Sequence, residues 1–177
     1  MIYFTSDLHA FHKDILLYDS LPFETLEEYR KCIIKTWNSK ITDKDEVYIL
    51  GDVCVGGSNH EINYFLSSLN GIKYLILGNH DREFRKKTAF NHHFEWIKDY
   101  HYFDYDKIRY VLMHFPIESW LNKSQKSIHL HGHSHGNLNH VNESVPLRRM
   151  DVGFKACNLN IYSIEEIYEK ISKQCQK

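Results

Sequence analysis

Five short β-rich runs in this chain each stop at a histidine, an aspartate or an asparagine, and that repeated ending narrows the folds open to it. Residues 2–6 run into Asp7-Leu8-His9 and residues 46–50 into Gly51-Asp52. Residues 73–77 run into Gly78-Asn79-His80-Asp81, residues 109–113 into His114, and residues 127–130 into His131-Gly132-His133. Helical segments lie between the first three. Residues 24–40 place Leu26, Tyr29, Ile33, Ile34 and Trp37 at helical spacing, behind a capping-box pattern of Thr25 with Glu28. Ser58 with Glu61 repeats that pattern at the head of a helix through Leu69, where Asn70-Gly71 signals a turn. Ser163 with Glu166 opens a C-terminal helix whose Ile164, Ile167, Tyr168 and Ile171 form one stripe. Alternating strands and helices indicate an α/β domain with parallel strands, in which ligands gather beyond the carboxyl ends of the strands. Residues 82–107 are polar and aromatic, with no clear period.

The 177 residues suit one domain spanning 1–177. Lys and Arg number 22 against 23 for Asp and Glu, a net charge of −1, which excludes the basic surface of a bulk duplex nucleic-acid binder. Apolar residues at 42% are enough for a packed core. The four cysteines are far apart with no C-x-x-C pair, the N-terminus has no basic-then-apolar leader pattern, and no apolar run approaches a membrane span. A cytoplasmic protein with reduced thiols and no membrane partner is the expectation. Nothing in the sequence bears on oligomeric state.

Histidine is the outlier in composition, at 13 residues, four of them at His129, His131, His133 and His135. Carboxylates and imidazoles with one amide oxygen and no thiolate suit divalent Mn, Fe, Zn or Ni. Asp7, His9, Asp52, Asn79, His114, His133 and His135 are too many ligands for one ion. Two adjacent ions sharing a bridging carboxylate use them all, and such a pair is the arrangement used for phosphoryl transfer.

D-x-H at Asp7 and His9, G-D at Gly51-Asp52, G-N-H-D at Gly78-Asn79-His80-Asp81, a lone histidine before F-P at His114, and G-H-x-H at residues 132–135 occur in that order. Together they resemble the calcineurin-like metallophosphoesterases. The tail, with Asp151-Val152-Gly153 and Ser163-Ile164-Glu165-Glu166-Ile167, is similar to the small single-domain bacterial and phage members. The resemblance implies a four-layer α/β/β/α sandwich of two mixed β-sheets, with two divalent ions, Mn foremost, at the strand ends. It implies that Asp7, His9 and His135 hold one ion, that Asn79, His114 and His133 hold the other, and that Asp52 bridges them. Asn79 and His80 contact the substrate in that scheme, and His80 protonates the leaving oxygen while Asp81 orients it. A hydroxide bridging the ions attacks phosphorus in line, with inversion and no phosphoenzyme.

The chain departs from the Ser/Thr protein phosphatases after Gly51-Asp52, where Val53-Cys54-Val55-Gly56-Gly57 carries no arginine to clamp a phosphate. A phosphomonoester bears nearly two charges and a diester one, so the missing arginine favours a phosphodiesterase acting on a nucleotide-type or other small diester. A phosphomonoesterase, a catalytically silent metal-binding scaffold and a structural zinc protein are the other readings. Arg82, Trp120 and His131 are further candidates for the substrate cleft, and Arg82, Arg148, Arg149 or Lys155 for a replacement phosphate clamp. The aromatic run Tyr100, Tyr102, Phe103 and Tyr105 reads as packing before base stacking.

Overall fold

A computed structural model describes residues 1–81, 84, 88–144 and 147–175, the side chains of 143 and 144 excepted. Its strands are β1 (Ile2–Thr5), β2 (Glu46–Ile49), β3 (Ile72–Ile76), β4 (Ile97–Lys98), β5 (Tyr100–Tyr105), β6 (Ile108–Met113), β7 (Ile128–His131), β8 (Arg149–Asp151) and β9 (Tyr162–Ser163). Its α-helices are α1 (Ile15–Tyr18), α2 (Leu26–Lys40), α3 (Asn59–Ser67), α4 (Asn139–Ser144) and α5 (Ile164–Gln174). All three capping boxes form as the sequence indicates. Thr25, Ser58 and Ser163 each accept the N–H of a glutamate three residues on, and each glutamate returns to the cap's own N–H. These bonds satisfy N–H groups that the first helical turn leaves without partners.

Two mixed sheets result. The first has the order β4-β3-β2-β1-β9, parallel except for β9, and the second has the order β5-β6-β7-β8, parallel except for β5. The period-2 alternation of strand side chains separates two cores. Val47, Ile49 and Leu75 point outward, against Tyr29, Ile33 and Trp37 of α2 and Ile62, Phe65 and Leu66 of α3. Phe4, Tyr48, Leu50 and Ile76 point inward, against Tyr110, Leu112, Ile128 and Leu130 of the second sheet. Ile164, Ile167 and Ile171 of α5 join this inner core. At each full burial the gain is about 1.5–3 kcal/mol per large apolar side chain.

Rings fill the space between the sheets. Tyr48 stacks on Phe103 at 5.2 Å and on Tyr74 at 4.7 Å, and Phe103 stacks on Tyr110 at 5.6 Å. The aromatic run of β5 therefore divides by strand alternation. Phe103 packs inside, while Tyr100 and Tyr102 are exposed, with the Arg109 guanidinium over Tyr102. On the second sheet, Trp120 packs on His129 of β7, and Arg149 of β8 donates to Ile117 O and to Asn142 Oδ1 of α4. Among the described residues no helix is long and apolar enough to cross a membrane, and all four cysteines are free.

Candidate metal centre

The loops beyond β1, β2, β3, β6 and β7 meet at one edge of the sandwich, held there by backbone hydrogen bonds. Asp7 N–H donates to Gly51 O at 2.9 Å, His9 N–H to Asp52 O at 3.0 Å, and Gly132 N–H to His114 O at 2.9 Å. Two glycines permit the approach. A Cβ on Gly51, at φ +92°, would lie 2.6 Å from both Gly78 N and His114 Nδ1, and one on Gly132 would strike Ser6 Oγ and Asp7 Oδ2. Asp7, His9, Asp52, His133 and His135 all have positive φ, between 44° and 67°. Each such residue costs of order 1–3 kcal/mol, and strain of this kind collects where function fixes the backbone.

The side chains converge in two overlapping groups. Ligand atoms of Asp7, His9 and His135 lie within 4.8 Å of one another, as do those of Asp7, Asp52 and His114. Asp52 Oδ2 sits 3.7 Å from His9 Nε2 and 3.5 Å from His114 Nε2, so one oxygen reaches both groups. Asp7 also belongs to both. Asn79 Oδ1 lies 2.9 Å from His114 Nε2 and 2.9 Å from His133 Nδ1. All seven residues expected as ligands from the sequence are thus brought together.

Two observations test whether divalent ions fit. The buried His9 ring has no hydrogen-bond partner at either nitrogen, an arrangement a native interior avoids unless something binds there. Buried carboxylates also crowd the region: Asp7, Asp52, Asp81 and Asp151, with Asp19 nearly as enclosed. Buried anions need a counter-charge. Burial, reinforced by the Asp151 carboxylate, pushes the Asp7 carboxyl up to about 8. Burial, reinforced by His135 and His12, pushes His9 down to about 2, which keeps it in the neutral form that ligates metal. Burial also lowers His114, against the pull of Asp52. The donor set and these two features fit a pair of cations.

The scan of family models matches residues 1–151 to the calcineurin-like phosphoesterases. The chain belongs to that family. An uncharacterized protein of Methanocaldococcus jannaschii is 33% identical over 177 residues, covering 97% of this chain and 92% of its own length. The gene 66 proteins of Mycobacterium phages L5 and D29 are 28% and 26% identical over 200 residues, with at least 96% of this chain and 93% of each relative covered. A crystal structure of a protein of unknown function from Aquifex aeolicus shares the fold, with a TM-score of 0.77 at 21% identity over 96% of this chain and 98% of that one. As a calcineurin-like phosphoesterase with two overlapping ligand groups, the protein is a dinuclear metal-binding hydrolase at the level of the superfamily.

Several roles expected of individual residues in this phosphoesterase need correction. Asp81 does not hold the His80 ring. Its two oxygens accept backbone N–H groups instead: Asp52 at 2.8 Å, Gly78 at 2.8 Å and Val53 at 3.0 Å. Trp120 is buried against the His129 ring at 5.3 Å, its indole N–H given to Ser127 Oγ at 3.0 Å. His131 is fully buried, with Nδ1 2.8 Å from Gly132 O and Nε2 facing the Asn142 amide. Arg149 is occupied by Asn142 Oδ1 and Ile117 O, and Lys155 by His135 O. Arg148 Nε is buried without a partner. Arg82 lies outside the described residues. His80 itself is exposed, and its N–H donates to Asp52 Oδ1 at 2.8 Å.

Two carboxylates escaped the sequence reading. Asp19, at the end of α1, lies 2.8 Å from His135 Nδ1. Asp151 accepts Ser134 Oγ–H and the N–H groups of Gly136 and Gly153, propping the loop that carries His133 and His135. The one available signal was chemical: an imidazole ligand needs a partner on its other nitrogen.

Proposed function

We propose that the protein is a metal-dependent phosphodiesterase acting on a nucleotide-type or other small phosphodiester. One observation carries the choice of diester. The ligand cluster is flanked by two exposed aromatic rings, Tyr18 at 68% exposure and Phe115 at 39%. Tyr18 packs edge-on to His12 at 5.7 Å, and the His12 ring lies 5.5 Å from His9 and 6.2 Å from His80. Phe115 packs on His133 at 4.7 Å and on His114 at 5.0 Å. One ring thus stands beside each half of the cluster, matching a phosphoryl centre with two ester arms. Planar or apolar arms gain from such surfaces. In the loop after Asp52, Val53 and Cys54 are buried and no arginine is present, which suits a singly charged diester better than a dianionic monoester.

In this reading Asp7, His9 and His135 would hold one divalent ion and Asn79, His114 and His133 the other, with Asp52 shared between the two groups. Such a pair would supply polarisation of phosphate oxygens and a water-derived nucleophile at neutral pH. The chain's own groups do the rest. His80, exposed beside His9 and His12, contacts a phosphate oxygen and delivers a proton to the departing alkoxide. Asp81 is a positioning residue, fixing the Asp52 and Asn79 loops through their backbone rather than touching substrate.

The test is hydrolysis of bis-p-nitrophenyl phosphate beside p-nitrophenyl phosphate, with Mn²⁺ supplied and an EDTA control. Mn²⁺-dependent turnover that favours the diester supports the reading. Preference for the monoester replaces it with a phosphomonoesterase, and absence of turnover in protein carrying two ions replaces it with a binding role.

A further inference from the structure

We infer that Asp19 is a positioning residue that makes the Asp7–His9–His135 half of the centre the tighter of the two ion sites. The inference rests on the two-ion reading above and concerns a residue outside every motif of the family.

Both oxygens of Asp19 lie on the same nitrogen, 2.9 Å and 2.8 Å from His135 Nδ1, while His135 Nε2 faces Asp7 Oδ1 at 3.8 Å. The order is carboxylate, imidazole, ligand cluster. A carboxylate behind an imidazole fixes its tautomer with Nε2 free to ligate, and raises its basicity as a ligand. The corresponding partner in the other half is weaker. His114 Nδ1 lies 2.8 Å from the neutral carbonyl of Leu50.

His135 needs the support more than His9 or His114 does. Its side chain is 20% exposed, against 3% for His9 and 1% for His114. Core packing fixes the latter two, whereas an unsupported His135 ring has room to turn away. The backbone does not hold it passively either, since His135 sits at φ 48°. Two outside groups pin it: Lys155 Nζ donates to its carbonyl at 2.8 Å, and Asp19 holds its ring. Asp19 can reach because α1 follows directly on the D-x-H loop and carries it back over the cluster. Its place in the chain, 116 residues from His135, ties the first ligand loop to the last.

The experiment is equilibrium dialysis of the wild type, Asp19→Asn and Asp19→Ala against graded free Mn²⁺, with bound metal counted by atomic absorption. The wild type should fill in two steps. In Asp19→Ala the tighter step should weaken by about 10–100-fold, the usual effect of losing such a partner, and the weaker step should stay in place. Asp19→Asn, the same shape with a neutral acceptor, should fall between. Thermal unfolding in EDTA provides the structural control, and the three proteins should unfold alike. Unchanged binding in both variants, or equal weakening of both steps, overturns the inference. A wild type that binds fewer than two ions overturns the two-ion reading beneath it.

Discussion

The carboxylate of Asp81 accepts the backbone N–H of Asp52 at 2.8 Å, and so ties the loop after β3 to the loop after β2. The same side chain takes the N–H groups of Gly78 and Val53, and is buried. Asp81→Ala leaves three N–H groups in the interior without that acceptor, at about 1–3 kcal/mol for each one that finds no substitute. The expected loss is about 3 kcal/mol or more in urea unfolding with EDTA present. A loss below about 1 kcal/mol would show that the loops are held by other means.

Removing the metals should leave the fold standing. The two apolar cores, around Trp37 and Phe65 on one side of the first sheet and Tyr48 and Leu130 on the other, contain none of the ligands. Structural zinc domains behave oppositely, since their folding energy is binding energy. Far-UV circular dichroism and a cooperative thermal transition should therefore persist in EDTA, at a lower midpoint because bound ions stabilise only the native state. Collapse to an unfolded baseline would support a structural metal.

Much of this was legible in the sequence, for reasons particular residues make plain. Thr25, Ser58 and Ser163 announce helices because a cap and its glutamate are only three residues apart. Asp7, Asp52 and His114 announce a site because each follows a β-rich run. The second sheet was not legible. Its strand β8 has three residues, too few for a period to appear, just as the edge strands β4 and β9 of the first sheet have two each. In β5, His101 and Phe103 alternate with Tyr100, Tyr102 and Asp104, so aromatic rings occupy both faces and hide the alternation. Asp19 and Asp151 were invisible as functional residues because their partners come from the far side of the chain or from a turn.

Asp52 is the residue whose loss should be felt by both ions. Its Oδ2 stands between His9 Nε2 and His114 Nε2, and its Oδ1 holds the N–H of His80. Asp52→Asn keeps the shape and removes the charge. Metal analysis after dialysis should show both ions weakened together. Two ions retained at wild-type affinity would remove Asp52 from the bridging position.

His80 should separate binding from turnover. Its ring is exposed and lies 5.5 Å from the His9 ring, outside both ligand groups. His80→Ala should keep its metal content and lose activity, by about 10²–10⁴-fold for a poor leaving group that needs its proton. The loss should shrink for p-nitrophenolate, which departs unprotonated. Equal losses across a leaving-group series would argue against proton donation and for a contact to phosphate alone.

His129 provides a stability switch outside the two ligand groups. It is fully buried, with Nδ1 3.1 Å from Val111 O and Nε2 accepting the N–H of Ile117 at 3.3 Å. Burial first, then the neighbouring His131, pushes it from 6.5 down to about 3. The unfolded chain thus takes up a proton on this residue as pH falls below 6.5, while the native chain does not until about 3. Stability from His129 is whole above the upper value and is lost progressively toward the lower one, at about 1.4 kcal/mol per pH unit. From pH 7 to pH 5 that amounts to about 2 kcal/mol. His9, held down by its own burial, acts in the same direction, so the wild type should lose more than this residue alone explains. Metal-stripped wild type and His129→Phe should be compared by urea unfolding at both pH values. The variant is weaker at both, since the Ile117 N–H loses its acceptor, but its fall between them should be smaller by about 2 kcal/mol. An identical fall in the two proteins would mean that His129 is protonated, or bypassed, in the native state at pH 5.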